Sequence, residues 1–307
     1  MACAIVLITS CPVSAQPLSI ALPLARAGKV DVALAELNNG GKDARAESLR
    51  CSLFASIDQR DAAIHACEAS AALAPESSNN ALELARAYGA KAEHSGALAG
   101  MRMVGKIREN FERAVKLDGT NVEALSDLGQ FYVEAPSIVG GGLDKAQSLV
   151  VRLQPLSPAR AHRLAGMIAA KRKDDASAEQ EFRAGVAADH NAEAYIDLAN
   201  FYRSRKQLDA AADNAKLALE HDPKRGPDTL DAARLLVEMK RNAPVAQAAL
   251  HSYLKAPQEN VARYAKAHVL LGQSLQDAGD RTGAKVEFQA ALALAHEYEA
   301  AQQGLNR

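Results

Sequence analysis

The sequence predicts an all-α protein built as a solenoid of about eight helical hairpins. Three observations carry this expectation. Between Ala192 and Pro223, apolar and small residues recur at three- and four-residue steps in two successive stretches, which places them on one stripe of each of two antiparallel helices. The unit then repeats. Its end markers, Pro75, Gly119, Pro158, His190, Pro223, Pro257 and His296, fall at intervals of 44, 39, 32, 33, 34 and 39 residues. Finally, the chain has no Trp, only 4% aromatic residues and many Ala and Leu. That composition suits helices packed through small contacts better than a sheet core. By length alone, 307 residues allow two or three globular domains. An internal period overrides that expectation in favour of one elongated array.

In the reference unit, Tyr195, Leu198, Ala199 and Tyr202 spell aromatic-x2-Leu-small-x2-Tyr on the first helix. Ala211, Ala215 and Ala218 provide small residues on the second, and Pro223 closes it. This pattern resembles the tetratricopeptide repeat, with Tyr195 where the family usually has Trp and Ala215 where it usually has Phe. The resemblance implies a right-handed α-α solenoid and a protein or peptide partner. It covers nearly everything after residue 43.

Residues 1–15 read as a signal peptide: an apolar stretch from Ala2 to Ile8, then Val13-Ser14-Ala15, which fits the small-x-small cleavage rule before Gln16. The segment lacks a basic leading region. Ile8-Thr9-Ser10-Cys11 also has the form of a lipoprotein processing site with Cys11 lipidated, and a plain apolar first helix is the third reading. Residues 16–43 are expected to form a degenerate first hairpin, broken at Gly28 and ended by Asn38-Asn39-Gly40-Gly41. The solenoid then runs over 44–307. Two insertions interrupt it. One lies within 89–106, as an extended interhelical loop or a helix extension. The other lies at 135–142, where Pro136 stops a helix and Gly140 to Gly142 supply a turn. A third excess, near Asn260 to Tyr264, reads as a linker or a longer helix. The 227–260 unit, marked by Val237, Ala246 and Leu250, is degenerate. Residues 299–307 are expected to finish the last helix as a polar C-terminal cap.

The chemistry-bearing motifs point away from an enzyme. None of the eight histidines has another four residues away on one helix, so the His-x3-His metal arrangement is missing, and no cofactor or metal is expected. The Gly-rich stretch around Gly140 lacks the Gly-Lys-Ser/Thr ending of a phosphate loop and follows a helix, which makes it a structural turn. Thirty-six Lys plus Arg against 37 Asp plus Glu leave a net charge of −1. Nothing in that total calls for nucleic acid or an anionic membrane. No run reaches the roughly 20 apolar residues of a spanning helix.

Function is therefore expected on the concave wall formed by the first helices. The repeat phase nominates Arg86, Gln130, Arg163, Asn200 and Arg203 as partner-binding residues, with Arg45, Ser52, Asn79, Arg160 and Lys171 beside them. Such a wall would be basic and amide-rich in its centre, suited to an acidic peptide or a chain terminus. Asp228, Asp231, Glu238 and Asp277 would make its C-terminal part acidic. The family's carboxylate clamp is not reproduced, because Ile196 with Asn200 and Arg163 with Met167 stand at the corresponding pairs. Cys51 and Cys67 fall where they could face each other inside one hairpin. A bridge closing that loop would stabilise by roughly 3 kcal/mol; the other reading is two buried thiols. The nearer likeness is to exported bacterial repeat proteins of unassigned role, some with a similar Ala-Pro, Gly-Gly and Lys-Ala insertion. The expectation is a periplasmic, non-catalytic scaffold of the bacterial cell envelope with a peptide or protein partner. A cytoplasmic co-chaperone or assembly factor and a regulatory subunit of an enzyme complex are the alternatives.

Overall fold

The computed structural model describes residues 15–306. Eight helical hairpins follow one another: α1 Ala15–Arg26 with α2 Val30–Asn38, α3 Ala44–Ser56 with α4 Arg60–Leu73, α5 Ser78–Glu93 with α6 Ala97–Leu117, and α7 Val122–Glu134 with α8 Leu143–Leu153. The second half pairs α9 Pro158–Lys171 with α10 Asp175–Asp189, α11 Ala192–Ser204 with α12 Leu208–Glu220, α13 Pro227–Glu238 with α14 Ala243–Lys255, and α15 Tyr264–Asp277 with α16 Arg281–Leu294. A short α17, Glu299–Leu305, ends the chain, and the described residues contain no strand. The predicted signal segment and Cys11 lie outside the described residues, apart from Ala15, which opens α1.

Small residues set the helix spacing. Ala199, Ala211, Ala215 and Ala218 are fully buried between α11 and α12, and Leu198 and Tyr202 close the stripe at 4% and 5% exposure. In the last hairpin, a Cβ at Gly272 would lie only 2.7 Å from the Phe288 ring, so the ring packs directly on the backbone of α15. That close approach is what the Leu-Gly-x2-Leu and Ala-x3-Phe patterns encode.

Six of the eight hairpin turns share one device. A left-handed residue (Gly28, Asp58, Lys173, Lys206, Lys240 or Gly279) follows the first helix, and in the α13–α14 turn Asn242 is left-handed as well. Its N–H bonds three residues back and the next N–H five residues back, as Lys206 N to Arg203 O at 3.0 Å and Gln207 N to Tyr202 O at 3.0 Å. This is the Schellman geometry, which satisfies the last carbonyls of a helix. The two exceptions are the hairpins with insertions. Within 89–106 no extended loop forms. Instead α5 and α6 are lengthened to 16 and 21 residues and joined by His94, Ser95 and Gly96. Residues 135–142 form a compact loop with a turn of 3-10 helix at Ser137–Val139. Gly141 there must be glycine, since a Cβ would lie 1.9 Å from the Ala135 carbonyl oxygen. Arg108 of α6 donates to Val139 O at 3.4 Å, so the 135–142 loop rests on the lengthened α6 just beyond the first insertion.

The solenoid does not end in two free caps. Its first and last hairpins meet. The third excess is a linker and not a longer helix: a non-helical segment precedes α15, and in it Ala262 N donates to Ala25 O of α1 at 3.0 Å. The backbone N–H and Nδ1 of His296 both lie 2.9 Å from Asp31 Oδ2. Tyr298 OH donates to Asp58 at 3.1 Å and Gln59 to Glu297 at 2.9 Å. The expected polar cap at 299–307 is corrected accordingly. It is a separate helix, and its Ala301, together with Tyr298 just before it, is buried in a core shared by α1–α3 and α15–α17. In the α3–α4 hairpin, Cys51 and Cys67 are joined in a disulfide with their Cα atoms 5.1 Å apart.

Lys206 holds its left-handed conformation (φ 61°) at a position where glycine would carry no Cβ penalty. Lys206→Gly removes that strain, and the looser unfolded chain offsets part of the gain. The expected net effect is a stability increase of about 0.5 kcal/mol, read from the midpoint of urea unfolding.

Candidate functional site: the central cavity

Closure of the array surrounds a central cavity of about 1120 Å³ that remains open to solvent. Its wall is built from the first helices of successive hairpins, together with α1 and the segment before α15. From α7 to α13 the lining residues come from the first two turns of each helix: Glu123, Ser126 and Asp127, then Arg160 and Arg163, then Glu193, Ile196 and Asp197, then Asp228 and Asp231.

This explains which expected wall residues reach the site. Arg45, Ser52, Arg86, Arg160 and Arg163 line the cavity. Gln130, Lys171, Asn200 and Arg203 do not, because they sit in the later turns of α7, α9 and α11, and Asn79 is also off the wall. The expected basic, donor-rich surface is corrected as well. Arg86 is held by Glu83, Glu123 and Asp127 at 2.8, 2.9 and 2.7 Å. Arg163 binds Asp197 at 2.9 Å and donates to Gln130 at 2.6 Å, while Arg160 binds Glu193 at 3.0 Å. Off the wall, Arg203 pairs with Glu238 at 2.5 Å, Gln130 donates to Glu134 at 2.9 Å, and Asn79 accepts from Asn121 at 3.1 Å. Most of the nominated donors are thus already used.

The pairs follow from the repeat period. Arg163 and Asp197 are 34 residues apart, Arg160 and Glu193 33, and Arg203 and Glu238 35, so each arginine meets a carboxylate at its own level on the next first helix. The result is a ladder along α5, α7, α9, α11 and α13, made of ion pairs except between α7 and α9, where Arg163 donates to Gln130 and Ser126. Arg163 and Asp197 are each 19% exposed. Burial works against the Arg163 charge, yet the Asp197 carboxylate more than offsets it and holds the guanidinium protonated. Burial lifts the Asp197 carboxyl above the usual range, and Arg163 opposes that rise.

Asp228 stands apart from the ladder. No cation bonds it, although it lies in the first turn of α13, where the helix dipole favours a negative charge. Burial, followed by the charges of Glu193, Asp222 and Asp231, outweighs the dipole and pushes its carboxyl up to about 6. Asp222 itself is buried and accepts from Gly226 N, Thr229 N and Thr229 Oγ1 at 2.8, 3.0 and 2.8 Å, which fixes the entry to α13. Sequence reasoning missed both the cap and the seam residues Arg26 and Arg263, which line the cavity only because the array closes. Among the described residues, no group of His, Cys, Asp and Glu is placed to hold a metal ion, and no helix is long and apolar enough to cross a membrane.

Two outcomes test these electrostatics. Arg163→Ala strands a half-buried carboxylate and should lower stability by about 3 kcal/mol, whereas the double change Arg163→Met with Asp197→Leu should stay within about 1 kcal/mol of the parent. Urea unfolding of both variants decides it. For Asp228, the folded state binds the proton more tightly than the unfolded chain, so stability contributed by this group falls as pH rises from about 4 to about 6. Asp228→Asn should therefore be more stable than the parent at pH 7.5, by about 1 kcal/mol after solvent screening, and lose that advantage at pH 4.

No protein-family model matches the sequence, and no curated protein does. Solved structures do. Yeast Tom70 superposes with a TM-score of 0.53 at 17% identity, covering 90% of this chain and 57% of that one. The chain thus spans a little over half the length of Tom70. A thermophilic TPR protein of Thermus thermophilus is matched at 22% identity with a TM-score of 0.46, over 59% of this chain and 93% of that one. Likeness at such identity concerns the fold. The hairpin pattern, the repeat period and the Tom70 superposition agree, and by fold the chain is a tetratricopeptide-like helical-repeat protein.

Proposed function

We propose that this chain is a non-catalytic scaffold of the bacterial cell envelope that holds a peptide segment of a partner protein in its central cavity. The observation that carries the proposal is the cavity itself. At about 1120 Å³ it exceeds the usual small-molecule pocket, and its wall is made of backbone-rigid helices bearing fixed polar groups. A rigid wall lets a flexible segment bind without the site paying its own ordering entropy. Location in the envelope is supported by the signal-like start of the chain and by the Cys51–Cys67 pair, since disulfides persist in oxidising compartments.

Filling the cavity tests the reading. Ala55 and Ala90 line it and are exposed, so Ala55→Trp with Ala90→Trp should block it without disturbing the core. Val286, exposed and away from the cavity wall, provides the control Val286→Trp. Proteins retained from periplasmic extract by the parent and by the control should be lost by the filled variant, at equal helical circular dichroism. Equal retention by the filled variant would overturn the proposal.

A further inference from the structure

Three arginines of the cavity wall behave differently from the rest. Arg86, Arg160 and Arg163 are each bonded to a carboxylate of the ladder. The guanidinium groups of Arg26, Arg45 and Arg263 line the same cavity, are exposed, and form no hydrogen bond or ion pair. They also share a location. Arg26 and Arg263 each follow one partner of the Ala262 N to Ala25 O bond that joins the two ends of the array, and Arg45 stands in the first turn of α3, the first helix of the next hairpin. Closure of the ring thus gathers three uncompensated cations from three separate elements at one side of the cavity. Of the carboxylates that line the wall from α11 to the start of the closing segment, Glu193, Asp231 and Glu259 are paired with Arg160, Arg234 and Lys224, and Asp228 is left without a bonded cation.

We infer that the cavity takes a bipolar peptide, its acidic end seated on Arg26, Arg45 and Arg263 at the closing seam and its neutral or basic remainder running past the unpaired Asp228 of α13. This rests on the cavity being the partner site. The chemistry selects the class of ligand. Guanidinium groups with free donor edges match carboxylates through paired hydrogen bonds. An extended polyanion is disfavoured, because charge distributed along its whole length would also face the unpaired Asp228 carboxylate and arginines whose charge is already matched by the carboxylates of the ladder. A ligand whose negative charge is confined to one end meets complementary potential at both ends.

The test uses the full chain and a fluorescent peptide of about ten residues with three acidic residues at its carboxyl end and two lysines at its amino end, read by anisotropy at low and moderate salt. The peptide should bind the parent protein and weaken with salt, as exposed charge contacts do. The triple change Arg26→Gln, Arg45→Gln, Arg263→Gln should weaken it at least tenfold. An equal change of net charge on exposed arginines away from the wall, Arg102→Gln with Arg172→Gln and Arg281→Gln, should leave it within twofold. A peptide of the same composition with alternating charges should bind more weakly than the bipolar one. Absence of binding to the parent, equal binding by the seam variant, or tighter binding of an oligothymidylate of equal length would each overturn the inference. Cavity filling separates the two readings. If Ala55→Trp with Ala90→Trp abolishes peptide binding while the seam variant retains it, the cavity stands and the seam assignment falls. If the seam variant alone loses binding, the seam acts from outside and the cavity reading falls.

Discussion

Contact between the two ends of the array is the interaction on which the rest depends. Eight hairpins in a row would present an open groove; the bonds of Ala262 to Ala25, His296 to Asp31 and Tyr298 to Asp58 join its two ends around a central cavity. The seam is also apolar, with Leu18, Leu37, Leu53, Val269, Phe288 and Tyr298 buried in one core drawn from both ends of the chain. Closing the array removes two exposed apolar ends at once. Repeat arrays ordinarily need polar capping units for that purpose. Here each end serves as the cap of the other.

Electrostatics along the inner wall follow from the same geometry. Stacking places residue i beside residue i+34 or so, and the chain has arginines and carboxylates in matching turns of consecutive first helices. The wall is consequently stitched together, and its polarity is largely structural. Arg163 is bonded to the first helices on both sides of it and Arg86 to its own and the next, which makes them stiff parts of the scaffold. Charge left over for a ligand sits at the seam, where Arg26 and Arg263 flank the joint between α1 and the segment before α15, and at Asp228, which has no arginine bonded to it from the neighbouring first helices.

The two insertions alter one edge of the array without disturbing the ring. Lengthening α5 and α6 keeps the added residues helical, so their backbone groups remain satisfied within the helices. The 135–142 loop instead uses glycine to pass close to the backbone of Ala135, and Lys145 Nζ ties it down by donating to Gly140 O at 2.9 Å. Both features depart from the shared Schellman turn of the other six hairpins, and both adjoin Arg108.

Helical class, the number of hairpins and the identity of the stripe residues were determined by the sequence alone, because spacing of three and four residues is a local property that any one hairpin displays. Leu198, Ala199, Tyr202 and Ala211 could be assigned to the core from position, and they are buried. The placement of Cys51 and Cys67 on facing sides of one hairpin was legible for the same reason. Arg163 illustrates the boundary. Its helix and its inward face were readable, but its partner Asp197 lies one repeat away, and whether an inward arginine is a free donor or a strut depends on the register between repeats. Gln130, Asn200 and Arg203 show a second boundary, since a residue on the expected face stands off the cavity when it sits in the later turns of its helix. Closure was the least legible of all. It arises from small rotations added over eight hairpins, a sum that no local pattern reports, so only the tertiary structure decided that Arg26, Arg45 and Arg263 stand around one cavity.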